Sequence, residues 1–229
     1  MKKLLIATLS TFVLTTAAVA ENPRDDFGIE HNEQVIYALQ NLDTVPAPED
    51  ANHVVAGLLC QYLSVMEGGC VWPPFPGFPF PWPDPTGPWL LDDLDLYASA
   101  SSLGLSADLE YYVHETLHLS EAGLSLPDFD QALTTLENEA AATLSSDDLW
   151  TYYGFSSVAR HSSRLWLSEE EGGMGAIHQL NPATGVDTVE VAARIKWWKV
   201  ALADAIGALQ TGTVIGAAGA SVISVLKQL

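Results

Sequence analysis

The chain has 229 residues, enough for one domain or at most two, since domains usually run to about 100–200 residues. Hydrophobic residues make up 48% and charged residues 17%, so the chain can bury a core, and disorder over its whole length is excluded. Nine Lys and Arg against 29 Asp and Glu leave a net charge of −20; this excludes nucleic acid and disfavours anionic lipid headgroups, whose phosphates call for basic partners.

Lys2 and Lys3 precede an apolar run from Leu4 to Val13, and Ala18-Val19-Ala20 supplies the small residues that a signal peptidase accepts. The run is shorter than the ~20 residues that span a bilayer, so residues 1–20 are expected to be a cleaved leader rather than an anchor. No cysteine follows Ala20 to take a lipid. Export to the periplasm, cell surface or medium follows, with residues 21–229 as one mature domain of net charge −22 once Lys2 and Lys3 are lost. In an oxidising compartment two cysteines tend to pair. Cys60 and Cys70 enclose a short loop made pliant by Gly68 and Gly69, and the expected disulfide contributes on the order of 2–3 kcal/mol by loop entropy.

Alternating Val, Ile and Thr runs are scarce, and helical periodicity recurs instead. Helices are expected from Asn32 to Leu42, with Val35, Ile36 and Leu39 on one side, and from Pro48 through Tyr62. Others are expected over Leu91–Leu103, Ser106–Ala122 and Asp128–Leu144, and from the cap Ser145 or Ser146 towards Glu171. A last helix is expected from Asp187 as far as Leu226. The pattern predicts an all-α bundle.

Residues 71–89 interrupt it with eight prolines and six Trp or Phe residues in 19 positions. Proline removes backbone donors and fixes φ, so a polyproline-like strap is expected there. Either its rings fold back over the helical core, or they dock a protein partner as Pro-rich aromatic segments do.

His114-Glu115-Thr116-Leu117-His118 matches H-E-x-x-H, in which two His one helical turn apart bind zinc and the Glu polarises the metal-bound water. Glu137 or Glu139 would be the third ligand, and the Asn138-Glu139 pair resembles the downstream helix of zincin metallopeptidases whose third ligand is a glutamate. Against this stands helical geometry. Leu109, Tyr112, Val113, Thr116 and Leu117 share one face, while His114 and His118 share the opposite stripe with Glu110 and Glu121, as on an ordinary polar surface. Zincins also hold substrate along a sheet edge, and no sheet is expected here.

From Ala205 to Leu226 run 22 residues without a charge, flanked by Lys196-Trp197-Trp198-Lys199 and Lys227. That length and those flanks suit a bilayer. Ala208, Gly212, Gly216, Ala220 and Ser224 recur every fourth residue, a glycine zipper that lets backbones approach closely. Gln210, Thr211, Thr213 and Ser221 reduce its hydrophobicity, and Asp204 adjoins it. Membrane insertion or self-association competes with a buried central helix, or a hairpin broken near Gly216 to Gly219; burial is the expectation for the soluble fold.

Three landmarks resemble one known group. The segment Asn22-Pro23-x-Asp25-x-x-Gly28-x-x-His31-Asn32-Glu33 is similar to the opening of exported bacterial all-helical proteins of unknown function. The same group carries an S-x-A-R-x-S element with a following Trp, matched by Ser157 to Ser162, including Arg160, and by Trp166; its Gly/Ala-rich end matches Lys196 to Ala220. The resemblance implies an all-α exported protein and no particular activity. Physically, Asn22, Asp25, His31 and Asn32 suit capping of the first helix and anchoring of the N-terminal arm, and Arg160 suits pairing with a carboxylate. The sequence therefore points to an exported, non-enzymatic helical protein, without cofactor, that associates with membranes or assembles through residues 187–229. The alternative is a zinc hydrolase with His114, His118 and Glu139 as ligands and Glu115 as base.

Overall fold

The structure, a computed structural model, describes residues 21–47, 50–66 and 96–229. Its helices are α1 (Asp25–Gln40), α2 (Ala51–Met66), α3 (Leu96–Ser101), α4 (Ala107–Glu121), α5 (Leu126–Thr143), α6 (Ser146–Trp166), α7 (Thr188–Ala192), α8 (Trp197–Thr211) and α9 (Val214–Leu226). Short 3-10 turns at Glu169–Glu171, Ala176–Gln179 and Pro182–Thr184 join α6 to α7. No strand occurs among the described residues, and the fold is all-α. The expected leader at 1–20, Cys70 and the expected strap at 71–89 lie outside the described residues.

Short polar side chains set the helix starts. The hydroxyls of Ser106, Ser125 and Ser145 accept hydrogen bonds from the backbone N–H groups of Leu109, Asp128 and Asp148 at 3.2, 3.4 and 3.2 Å. Each satisfies a donor that the first helical turn leaves open and is worth roughly 0.5–2 kcal/mol. Asp108, Asp128, Asp147 and Asp148 add negative charge where the dipole is positive.

Three boundaries differ from the sequence expectation. The first helix begins at Asp25, not near Asn32, because the face that α1 turns inward at its start is polar: Gly28, His31 and Asn32 are buried there, and apolar periodicity does not register them. The sixth stops at Trp166 rather than near Glu171, since Ser168 and Glu171 form a capping box that opens a separate 3-10 turn. The expected single helix from Asp187 to Leu226 is three helices. Asp187 caps α7 through the N–H groups of Val189 and Glu190, and the chain turns before α8 so that Val191 and Val200 both reach the core around α9.

The core has two lobes. Val35, Leu39, Val55 and Leu59 of α1 and α2 pack with Leu165, Val222 and Val225. Leu109, Val113 and Leu117 of α4 pack with Tyr152, Phe155 and Val158 of α6 and with Leu202 and Ala205 of α8. The hairpin of α8 and α9 joins the lobes: α8 lies on α6, and α9 lies on α1 and α2.

Candidate functional site

Asp204 sits where four helices meet. It is fully buried on α8, and its Oδ2 accepts hydrogen bonds from Ser162 and Trp166 of α6 and Ser221 of α9. The Ser221 and Trp166 bonds measure 2.8 and 3.3 Å. From α1, the equally buried His31 brings Nε2 to 3.6 Å of the same oxygen. Its other nitrogen, Nδ1, lies 2.9 Å from Asn32 Oδ1, an acceptor, so Nδ1 carries the proton and Nε2 presents its lone pair to Asp204. Asn32 in turn donates to the backbone carbonyl of His161 at 3.0 Å. Among the described residues, neither His31 Nε2 nor Asp204 Oδ1 has a hydrogen-bond partner.

Burial governs both ionisations. It pushes Asp204 up to about 7, against the three donors that favour its anion. It pushes His31 down to about 4, assisted by the charge of His161 and opposed by the Asn32 hydrogen bond. Ser162, Asp204 and His31 resemble a catalytic triad in composition but not in order. The carboxylate stands between hydroxyl and imidazole, so no imidazole faces the serine, and all three side chains are sealed from solvent. The cluster can hold and move a proton; it cannot reach a substrate.

A second polar cluster lies towards the surface. Arg160 of α6 donates from Nη2 to Glu137 Oε2 of α5 at 2.7 Å, with Asp25 and Asp130 at 3.6 and 3.8 Å from its other nitrogens. Burial alone would lower the Arg160 pKa, but the Glu137 hydrogen bond and the three carboxylate charges raise it above its usual value. Glu137 Oε1 also accepts from Asn22 at 2.7 Å and Ser156 at 2.6 Å. Asn22 Oδ1 accepts from the Arg24 N–H at 2.8 Å, which fixes the arm entering α1, a start that has no side-chain cap. Asp25 contacts His161 Nε2 at 2.9 Å, and Arg164 pairs with Asp130. A cavity of about 360 Å³ opens here between Glu21, Thr134, Arg160 and Arg164. Both guanidinium groups in it are engaged by carboxylates, so the cluster joins the arm, α1, α5 and α6 instead of offering an anion site.

On α4, Leu109, Tyr112, Val113, Thr116 and Leu117 face the core, and His114 and His118 face outward. That outward stripe is not left to solvent. Tyr97 of α3 places its ring centroid 5.3 Å from His114 and 5.0 Å from His118. Its hydroxyl donates to Glu121 at 3.0 Å and lies 2.9 Å from His118 Nδ1. Ser101 donates to Glu110 and lies 3.4 Å from His114 Nε2. Glu137, one of the two candidate third ligands, is committed to Arg160, and Glu139 is exposed on α5. Among the described residues, no group of three His, Cys, Asp or Glu side chains is placed to hold a metal ion.

The small residues of the C-terminal segment do not form one stripe on one helix. Gly212 adopts φ +66° and ends α8, while Thr213 caps α9 by accepting from the Gly216 N–H at 3.2 Å. The break therefore falls at Gly212-Thr213 and not at Gly216 to Gly219, because a left-handed residue with no Cβ followed by a capping Thr closes one helix and opens the next. Ala208 lies in the core, Gly216 faces Thr211, and Ala220 faces Gly207, so the zipper residues Ala208, Gly212, Gly216 and Ala220 are used within the hairpin. No helix among the described residues is long and apolar enough to cross a membrane.

Sequence reasoning missed Asp204 and Ser221 as site residues. The signal available was a lone carboxylate in an otherwise uncharged run from Val200 to Leu226. In comparisons with known proteins, no family, no curated protein and no solved structure matches the chain.

Proposed function

We propose that the protein is an exported, non-catalytic helical protein that associates with membranes through its C-terminal hairpin. One observation carries this reading. In the antiparallel hairpin, Thr211 faces Gly216 and Gly207 faces Ala220, so the flanking groups Trp197, Trp198, Lys199 and Lys227 fall at one end and the Gly212-Thr213 turn at the other. Interfacial residues at one end suit entry from a single side of a bilayer, turn first. Helices of 15 and 13 residues measure roughly 22 and 20 Å at ~1.5 Å per residue, short of a ~30 Å hydrocarbon core, so the hairpin enters without crossing. The resemblance of the Asn22–Glu33, Ser157–Trp166 and Lys196–Ala220 landmarks to exported helical proteins supports the same reading, as does the leader pattern at residues 1–20. A Cys60–Cys70 disulfide belongs to it as well, tying α2 at its buried Cys60 to the segment beyond.

Flotation of the mature chain with phosphatidylcholine vesicles tests the proposal. The protein is expected to rise with the lipid, and brominated acyl chains are expected to quench Trp197 and Trp198 emission. Protein that stays in the aqueous fraction, with α9 amides as protected from exchange as without vesicles, would overturn it.

A further inference from the structure

We infer that His31 and Asp204 act as a one-proton latch on the α8–α9 hairpin: the pair holds a single exchangeable proton while the hairpin is docked, and a second proton undocks it from α1 and α6. The inference concerns docking within the fold and stands whether or not the hairpin meets lipid.

The geometry sets the charge states that the pocket accepts. With no exchangeable proton, Asp204 is a buried anion satisfied by Ser162, Ser221 and Trp166. With one, the pair is neutral overall, whether the proton resides on the carboxyl group or makes His31 an imidazolium facing a carboxylate at 3.6 Å. With two, an imidazolium faces an uncharged acid, and no carboxylate is left to balance it.

Other ionisable groups on the neighbouring elements do not supply that balance. On α1, Asp25 serves His161 and Arg160, Asp26 is exposed and acts on Arg24, Glu30 accepts from Gln34, and Glu33 accepts from Tyr62. On α6, His161, Arg160 and Arg164 bear or can acquire positive charge, which repels a cationic His31. Apart from Asp204, α8 contains only Lys199; α9 contains no ionisable side chain. The neighbouring α2 carries His53, and the 3-10 turn at Ala176–Gln179 carries His178, both basic. A buried cation without a partner is costly, so the second proton favours separation of the helices.

The linkage has a distinctive form. A carboxyl raised to about 7 by burial contributes stability that is present below its unfolded value and lost as pH rises towards 7. An imidazole lowered to about 4 by burial contributes the opposite: its stability is present above the unfolded value of 6.5 and lost as pH falls towards 4. Between about pH 4 and 6.5 the folded pair carries its proton on the Asp204 side and the unfolded chain carries one on His31. The proton counts are equal, so the two slopes cancel in the native pair. Removing either partner exposes the slope of the other.

Urea unfolding of the intact mature protein from pH 4.5 to 7 tests this, each variant being read relative to wild type. Asp204→Asn is expected to lose folding equilibrium constant by up to tenfold per pH unit as pH falls from 6.5, and His31→Asn to lose it by up to tenfold per unit as pH rises towards 7. The double variant is expected to restore the wild-type slope. If a single variant does not fold, histidine-labelled wild type gives a direct readout: the His31 imidazole should remain neutral until about pH 4. As it titrates, α9 amides should lose exchange protection before those of α4 and α5. Parallel pH profiles for both single variants, an ordinary His31 midpoint near 6.5, or simultaneous loss of protection in α9 and α4 would each overturn the latch.

Discussion

A Cβ placed on Gly207 of α8 would stand 2.8 Å from the Cβ of Ala220 on α9 and 3.1 Å from the carbonyl oxygen of Gly216. The two helices are thus in backbone contact at this point, and the close approach depends on a residue with no side chain. Gly207→Val is expected to destabilise the protein by about 1–3 kcal/mol through overpacking. Gly57, on the exposed side of α2 with nothing within 4 Å of a built Cβ, provides the contrast. Gly57→Ala should stabilise by about 0.5–1 kcal/mol through helix propensity alone. Urea midpoints of the two variants, shifting in opposite directions, check the pair of expectations.

Gly28 performs the same service between α1 and α6. Its N–H donates to Ser157 Oγ at 2.9 Å, and an added Cβ would come within 2.7 Å of His161 Cδ2 while also striking the Ser157 carbonyl. Backbone cannot yield as a side-chain tip does. Gly28→Ala should therefore cost about 3 kcal/mol, the upper end for overpacking, in spite of alanine's better helix propensity. Thermal unfolding measures it, and a variant as stable as wild type would show that α1 and α6 are not locked at this contact.

Removing Glu137 takes the closest acceptor from three groups at once: the Arg160 guanidinium, the Asn22 amide and the Ser156 hydroxyl. Glu137→Ala should cost about 1–3 kcal/mol, because the buried Arg160 guanidinium loses its closest acceptor while Asp25 and Asp130 still face it at 3.6 and 3.8 Å. The double variant Glu137→Leu with Arg160→Met should recover most of that loss, since it removes both charges together. A double-mutant cycle in denaturant provides the measurement. Equal losses in the single and double variants would place the energy in packing and not in the ion pair.

The H-E-x-x-H stripe is expected to hold no stoichiometric zinc. Tyr97 packs against both imidazoles, and Glu139 is exposed away from the buried face of α5. Elemental analysis of the purified protein after zinc loading and dialysis checks this. One zinc per chain, lost in His114→Ala, would restore the hydrolase alternative.

Legibility in the sequence followed the range of the interaction. The buried face of α4 is readable from Leu109, Tyr112, Val113, Thr116 and Leu117, and the starts of α4 and α6 from Ser106 and Ser145, since periodicity and capping act within one or two turns. The start of α1 was not readable. Its inner face carries His31 and Asn32, and polar residues look the same in sequence whether water or another helix satisfies them.

Taken alone, the amino-acid order determined that this chain builds amphipathic helices around an uncharged C-terminal segment, because helix propensity and apolar spacing are properties of near neighbours. Folding in three dimensions decided that the segment bends at Gly212, that its small residues pack inside the hairpin, and that Asp204 finds His31, Ser162, Trp166 and Ser221. Those outcomes rest on burial and on contacts between residues distant along the chain, and a desolvated carboxylate takes its partners from whichever helices close over it.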